Sequence, residues 1–437
     1  MSAQKDSRII GLLASLFPEV WLNFVAREAG AVQRRRKVHF GAFFWSVVLG
    51  FGVSKDRSLA DMRRRYECST SSTIEESSYY DRFTRALVDV LRRAVERGLD
   101  HLVATTKREL ESTWSSFRDL LLLDATVIRL HDLLQKTYRA CRTNHTKAAA
   151  KMHVVLSVAG QSRNRVKLTS ERVHDTSPWK RVGKWVEGRL LLFDLGYYSF
   201  HLFARIAEND GFFVSRLKSN SNPLIVATNR KWRGRAVSLV GRRLRDVLPE
   251  LEREELDVEV EVAFERRAYG GRQRRDRKQF RLVAVRDADS GQYHAYLTNV
   301  PRETLTPADV ATTYRLRWQI ELLFKELRSH YRLGELPSSR RVIVEGLIYT
   351  AILTLIVSRV LLAALRAELP PGRWIPHLRW AALFEAVAPE ILRQLMKHLG
   401  LRPREDSLWS LLLHEAADPN LGRMPHSQLP FDVRGAA

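Results

Sequence analysis

The sequence predicts an α/β protein with an inserted β subdomain, flanked by helical regions at both ends. Two observations carry this. Two apolar runs, DLLLLDATVIRL and RLLLFDLGYYSF, read as buried strands, and each brings an aspartate, Asp124 or Asp194, to the end of its apolar stretch. A strictly alternating stretch, Asp257 to Phe264, then reads as half-exposed β. Of the 437 residues, 72 are Lys or Arg against 49 Asp or Glu, a formal net charge of +23. Such a surplus repels itself in a compact fold unless a polyanion neutralises part of it, and nucleic acid is the usual one.

The first 110 residues read as a helical DNA-binding domain. Ile9, Leu12, Leu13, Leu16 and Phe17 recur at helical spacing, as do Phe40, Phe43, Phe44, Val47 and Val48. Basic clusters at Gln33 to Lys37 and Arg63 to Arg65 fit a DNA grip, although a solvated charged face would look the same. A catalytic domain is expected over 111–335. It contains the two buried strands, two more at Lys151 to Val158 and Arg165 to Ser170, and a helix at SFHLFARIAE. A β-rich insertion interrupts it at about 220–300, with YGGRQRRDRK as a basic hairpin tip. Helix returns at TPADVATTYRLRWQIELLFKELRSHYRL, with Thr306 as cap and Pro307 in the first helical position. Residues 336–437 form a C-terminal helical region, for core packing and a candidate dimer contact. Its apolar segment Val342 to Leu365 carries Glu345 and Arg359, and the uncharged stretch between them is too short to span a bilayer, so it is expected to be a buried core helix and not a membrane anchor. No signal peptide is expected at the N-terminus. Cys68 and Cys141 lack metal-ligand spacing, which suits a reducing cytosol.

The chemistry centres on the helix around Glu321. Ile320, Leu323, Phe324, Leu327 and Tyr331 form one apolar stripe, and Tyr314, Arg317, Glu321, Lys325 and Arg328 form another. The second stripe sets one carboxylate among three cations and a phenol. On its own it would be ordinary ion pairing along a helix. With two strand-end aspartates upstream it suits phosphoryl transfer. Three carboxylates can hold two divalent ions about 4 Å apart, and flanking cations can neutralise phosphates. His145 and His153 lack a third ligand at suitable spacing. Asp119, Asp175, Asp210 and Glu345 read as structural acids.

The run YRLRWQIELLFKELR resembles the Tyr-Arg-Glu-Lys signature of bacterial insertion-sequence DDE transposases. Tyr314, Arg317 and Glu321 match, Lys325 matches a further basic position, and Arg328 stands where the family has Lys, keeping the charge with a different donor geometry. The segments around Asp124 and Asp194 resemble the family's first two catalytic-aspartate regions. The resemblance covers roughly residues 35 to 365. It implies an RNase H-like core and two Mg²⁺ or Mn²⁺ ions on Asp124, Asp194 and Glu321, with Tyr314, Arg317, Lys325 and Arg328 on the DNA of the element's ends. It also implies binding to terminal inverted repeats and target DNA, a homodimer in the synaptic complex, and a cytoplasmic, nucleoid-associated location. Some members stack a flipped base on an aromatic of the insertion, for which Trp232 is the candidate. A silent DNA-binding regulator descended from such an enzyme and an RNase H-like structure-specific nuclease remain as alternatives.

Overall fold

The computed structural model describes residues 2–32, 38–51, 58–70, 72–105, 112–141, 146–179, 182–229, 231–232, 235–236, 239–269, 272–370, 373 and 375–401. Among these, six helices precede the sheet: α1 (Ser2–Leu16), α2 (Glu19–Glu28), α3 (Phe40–Phe51), α4 (Leu59–Ser69), α5 (Glu76–Tyr80) and α6 (Arg85–Thr105). The core follows as β1 (Asp119–Leu130), β2 (Ala148–Ser157), β3 (Arg165–Ser170), β4 (Arg189–Phe193), α7 (Phe200–Ala207) and β5 (Phe212–Arg216). Next come β6 (Leu224–Thr228), β7 (Lys231–Trp232), β8 (Arg235–Ala236), α8 (Leu244–Val247), β9 (Glu255–Tyr269), β10 (Arg272–Arg286) and β11 (Tyr293–Thr298). The last described elements are α9 (Pro307–Arg315), α10 (Trp318–Ser329), α11 (Arg341–Arg366) and α12 (His377–His398).

One nine-stranded sheet organises the molecule, in the order β3-β2-β1-β4-β5-β11-β10-β9-β6. The first five strands make the RNase H-like part. β4 pairs in parallel with β1 and with β5, while β2 runs antiparallel to both β1 and β3. β1 lies in the middle with helices on both faces, which is why its apolar run is continuous rather than alternating. Its pleat divides the side chains. Leu120 and Leu122, with Leu190 and Leu192 of β4, join the core shared with the terminal helices. Leu121 and Leu123, with Leu191 and Phe193, face the other way, onto Phe203 of α7.

The insertion does not stand apart as a separate sheet. β11 pairs with β5 through Tyr296↔Arg216, so β11, β10, β9 and β6 extend the core sheet. β9 and β10 form the long hairpin whose alternating sequence announced it, and its basic residues continue the strand instead of forming a loose tip.

The two ends of the chain also share one core. α11 packs on α3 and α6, α12 packs on α3, and the Thr354 hydroxyl donates to the Val48 carbonyl at 2.6 Å. α11 is apolar and long enough to cross a membrane by composition, and 83% of its most apolar window is buried inside the fold. Glu345 is held by Arg85 and Arg341 at 2.9 and 2.6 Å and by the Tyr138 hydroxyl, so it serves as a buried staple. The Gln33 to Lys37 cluster lies outside the described residues. In the second cluster, Arg63 pairs with Glu67 and Arg65 with Asp61, which spends two of the three charges inside the protein.

Candidate active site

Strand register brings the two aspartates together. The last parallel pair between β1 and β4 is Leu123↔Phe193, so Asp124 and Asp194 are the next residue on each strand. Both follow Leu122 and Leu192 by two positions and therefore share their face, the one that carries α10. Asp124 does not end its strand as expected. β1 continues to Leu130 because β2 goes on pairing with it, Asp124↔Val154 included. Asp194 does lie just past its strand, and its carboxylate caps the following turn by accepting from the Gly196 amide at 3.4 Å.

The predicted single helix is two. α9 starts at the expected Thr306 cap, closed as a capping box by Asp309, and ends at Arg315. α10 starts at Trp318, and the turn between is tightened by Leu316 and Arg317 amides donating to the carbonyls three residues back. Ile320, Phe324, Leu327 and Tyr331 are buried in the same cluster as Leu120 and Leu122, with Leu323 packed against it, which docks α10 over β1. Glu321 is thereby presented toward the strand aspartates.

Arg317 sits at the convergence. Its Nη1 lies 2.6 Å from Glu321 Oε1, 3.5 Å from Asp124 Oδ2 and 4.0 Å from Asp194 Oδ1. No two of those oxygens can be farther apart than the sum of their distances to that nitrogen, so the three acids form one cluster. Arg317 is only 8% exposed, and neither its Nε nor its Nη1 makes a hydrogen bond of good geometry, so the contact is chiefly ionic. The Tyr314 ring lies 5.4 Å from the guanidinium and packs on Tyr296 at 5.3 Å; burial raises its phenol pKa. Lys325 and Arg328 are exposed along α10, with no hydrogen-bond or ion-pair partner for either charge among the described residues. Trp232 forms part of the short β7–β8 pair, and its side chain lies outside the described residues.

Burial pushes the Asp124 carboxyl up to about 7, opposed by the Ala125 amide and Arg317 and reinforced by the charges of Asp194 and Glu321. A raised carboxyl pKa means that the folded protein binds this proton more tightly than the unfolded chain. Asp124 therefore costs stability as pH climbs from about 4 through 7. In chelator, Asp124→Asn is expected to raise the melting temperature at pH 8 and to leave it nearly unchanged at pH 4. Equal shifts at both values would contradict this.

The donor set suits hard divalent cations: oxygen ligands only, from three carboxylates, one of which is driven toward its neutral form chiefly by burial and further by the charges of the other two. Among the described residues no three His, Cys, Asp or Glu side chains close into a ready-made cation cage, because the guanidinium stands between the acids.

The other acids named from sequence have structural duties. Asp119 is buried and accepts from the Ser157 hydroxyl at 2.6 Å and the Ala159 amide at 2.9 Å. Asp210 occupies a left-handed turn (φ 54°). His153 is buried on the opposite face, bonded to Thr169 at 2.8 Å, and burial lowers its pKa to about 4. His145 lies outside the described residues. Asp175 pairs with Lys151 at 2.8 Å, yet it also abuts the Asp194 turn, a proximity no spacing pattern signals. A Cβ on Gly196 would stand 2.5 Å from Asp175 Oδ2. Gly196→Ala should therefore displace the turn, costing about 1–3 kcal/mol as overpacked sites do, and Asp175→Ala in the same chain should recover most of it. A double variant no better than the single would place the strain elsewhere. Sequence reading also passed over Trp318, 57% exposed beside Arg317 on the open side of α10.

Comparison with known proteins places the chain in a family. The family model described as the transposase DDE domain matches residues 115–357, from just before β1 into α11. The transposase for insertion sequence element IS1151 of Clostridium perfringens is 20% identical over 365 residues, 77% of this chain and 76% of its own length. That for IS231E of Bacillus thuringiensis subsp. finitimus is 22% identical over 362 residues, 75% and 74% of the two chains. Higher local identity, 32% over 78 residues, relates a short stretch (18% of this chain, 21% of the relative) to the transposase for IS421 of Escherichia coli. The family match takes in both strand aspartates, the docked helix and more than half of the chain, and the protein belongs to the transposase DDE domain family, with the transposases of bacterial insertion sequences as its relatives.

Proposed function

We propose that this transposase cuts the inverted-repeat ends of its own element and joins them to target DNA, a cut-and-paste reaction at Asp124, Asp194 and Glu321. The observation that supports this most is the grouping of the three carboxylates within 2.6 to 4.0 Å of one nitrogen, from segments far apart in the chain. Asp124, Asp194 and Glu321 would hold two Mg²⁺ or Mn²⁺ ions. When bound, these ions supply Lewis acidity for the attacking and leaving oxygens of the scissile phosphodiester. The rigid positions of the acids, two at adjacent strand sites and one on a docked helix, fix the geometry. Arg317 and Tyr314 lie where they can bind and orient a phosphate, and Lys325 and Arg328 continue that positive line along α10. Two copies are proposed to act together on the paired ends, in the bacterial cytoplasm at the nucleoid, and Trp232 remains the candidate to stack a displaced base.

The test is to supply the purified chain with Mg²⁺ or Mn²⁺ and a duplex bearing the inverted repeats that flank its reading frame. Cleavage at the repeat ends followed by their joining to a second duplex is expected. Cutting without joining would indicate a nuclease, and binding without cutting a regulator.

A further inference from the structure

We propose a second DNA-backbone site, a groove over the edge strand β3, separate from the acid cluster. β3 ends the sheet, with β2 as its only strand partner among the described residues. Arg163, just before it, and Arg165 and Lys167 within it are all exposed; alternation puts Arg165 and Lys167 on the same side, and all three line one cavity. A cavity of about 860 Å³ runs between this row and α6, and a second of about 220 Å³ shares Arg163, Arg165 and Trp179 and adds Trp185 and Arg189.

The acids in this lining are already engaged. Asp100 accepts from the Asn164 backbone and side chain at 3.1 and 2.8 Å, and Glu96 accepts from Arg92 at 2.8 Å. Arg163 and Lys167 have no hydrogen-bond or ion-pair partner among the described residues, and Arg165 lies 5.8 Å over the Trp185 ring. Exposed cations two residues apart, about 6.6 Å along a strand, with tryptophans beside them, match a sugar-phosphate backbone carrying a charge at every nucleotide.

Arg165 and Lys167 pair with Val155 and His153 and so face the side of the sheet away from the acid cluster, while α6 closes the larger cavity across the sheet edge. Leu121 and Val155 line the smaller cavity and face the α7 side of the sheet, whereas Asp124 faces α10. The proposed occupant is a different stretch of DNA, either a flank of the element's own end or the target duplex.

Charged residues on an edge strand also deter sheet-to-sheet pairing between molecules, and the experiment separates that role from DNA binding. The inference rests on the reading that this chain acts on DNA. The full chain and its Arg163→Gln/Arg165→Gln/Lys167→Gln variant are titrated with an end-bearing duplex and with an unrelated duplex over a range of salt. Loss of three phosphate contacts is expected to flatten the slope of log K against log [salt] by about 2.7, and the duplex that shows the loss is the occupant. Should the triple variant fold poorly, Arg163→Gln/Lys167→Gln leaves the Arg165–Trp185 contact intact and should flatten the slope by about 1.8. Unchanged slopes for both duplexes overturn the groove, as does self-association with unchanged slopes, which would assign the row to edge protection. If the unaltered chain binds neither duplex, the reading of the protein as DNA-acting fails instead.

Discussion

In chelator, Arg317→Met is expected to melt several degrees below the unaltered protein, and millimolar Mn²⁺ should restore most of the difference. The reason is charge balance. Nη1 of Arg317, the one ion-pair partner that the described residues give Asp124, lies within 4.0 Å of all three carboxylates, and Asp124 is buried at 8% exposure. Removing one partner of a buried ion cluster leaves uncompensated charge, a loss on the order of 3 kcal/mol. Asp194 and Glu321 reach solvent, which holds the effect toward the lower end. Mn²⁺ should also stabilise the variant more than the unaltered chain, because only in the latter does Arg317 already neutralise the acids. A variant as stable as its parent in chelator would show that the guanidinium contributes nothing there. A destabilised variant that ignores Mn²⁺ would show that the acids do not take a divalent ion.

The second large effect is on the reaction. Asp124→Asn should reduce nicking of an end-bearing duplex by roughly 10³-fold or more, equivalent to about 4 kcal/mol of transition-state stabilisation. Affinity for the same duplex should stay within a few-fold, since Tyr314, Arg317, Lys325 and Arg328 are untouched. The substitution removes a negative ligand while keeping volume and hydrogen-bonding capacity, so a fold defect cannot account for the loss. Undiminished nicking would remove Asp124 from the site.

How much of this could be read from the sequence depends on what each feature requires. β3 and the cap of α9 fall where local pattern placed them, because strand alternation and a Thr306–Asp309 cap are local physics. The buried character of β1 and β4 was equally legible. The adjacency of Asp124 and Asp194 was not, since it depends on a parallel register between segments joined through β2 and β3. The joining of the insertion to the core sheet was hidden for a similar reason: it rests on three residue pairs between β11 and β5. Helical spacing correctly placed Arg317 next to Glu321 but missed the break at Leu316 and Arg317. Nothing in that spacing could show that Arg317 would also reach two strand aspartates.

Asp124, Asp194 and Glu321 are proposed to bind metal together, and affinity cleavage reads this out. Fe²⁺ replaces Mg²⁺ in the purified protein, ascorbate and peroxide generate radicals at the bound iron, and the backbone cuts are mapped by mass spectrometry. Cuts are expected beside residues 124, 194 and 321 in one sample, suppressed by excess Mg²⁺ and lost together in Asp124→Asn. Cuts beside only one of the three, or a pattern that survives Asp124→Asn, would contradict a shared site.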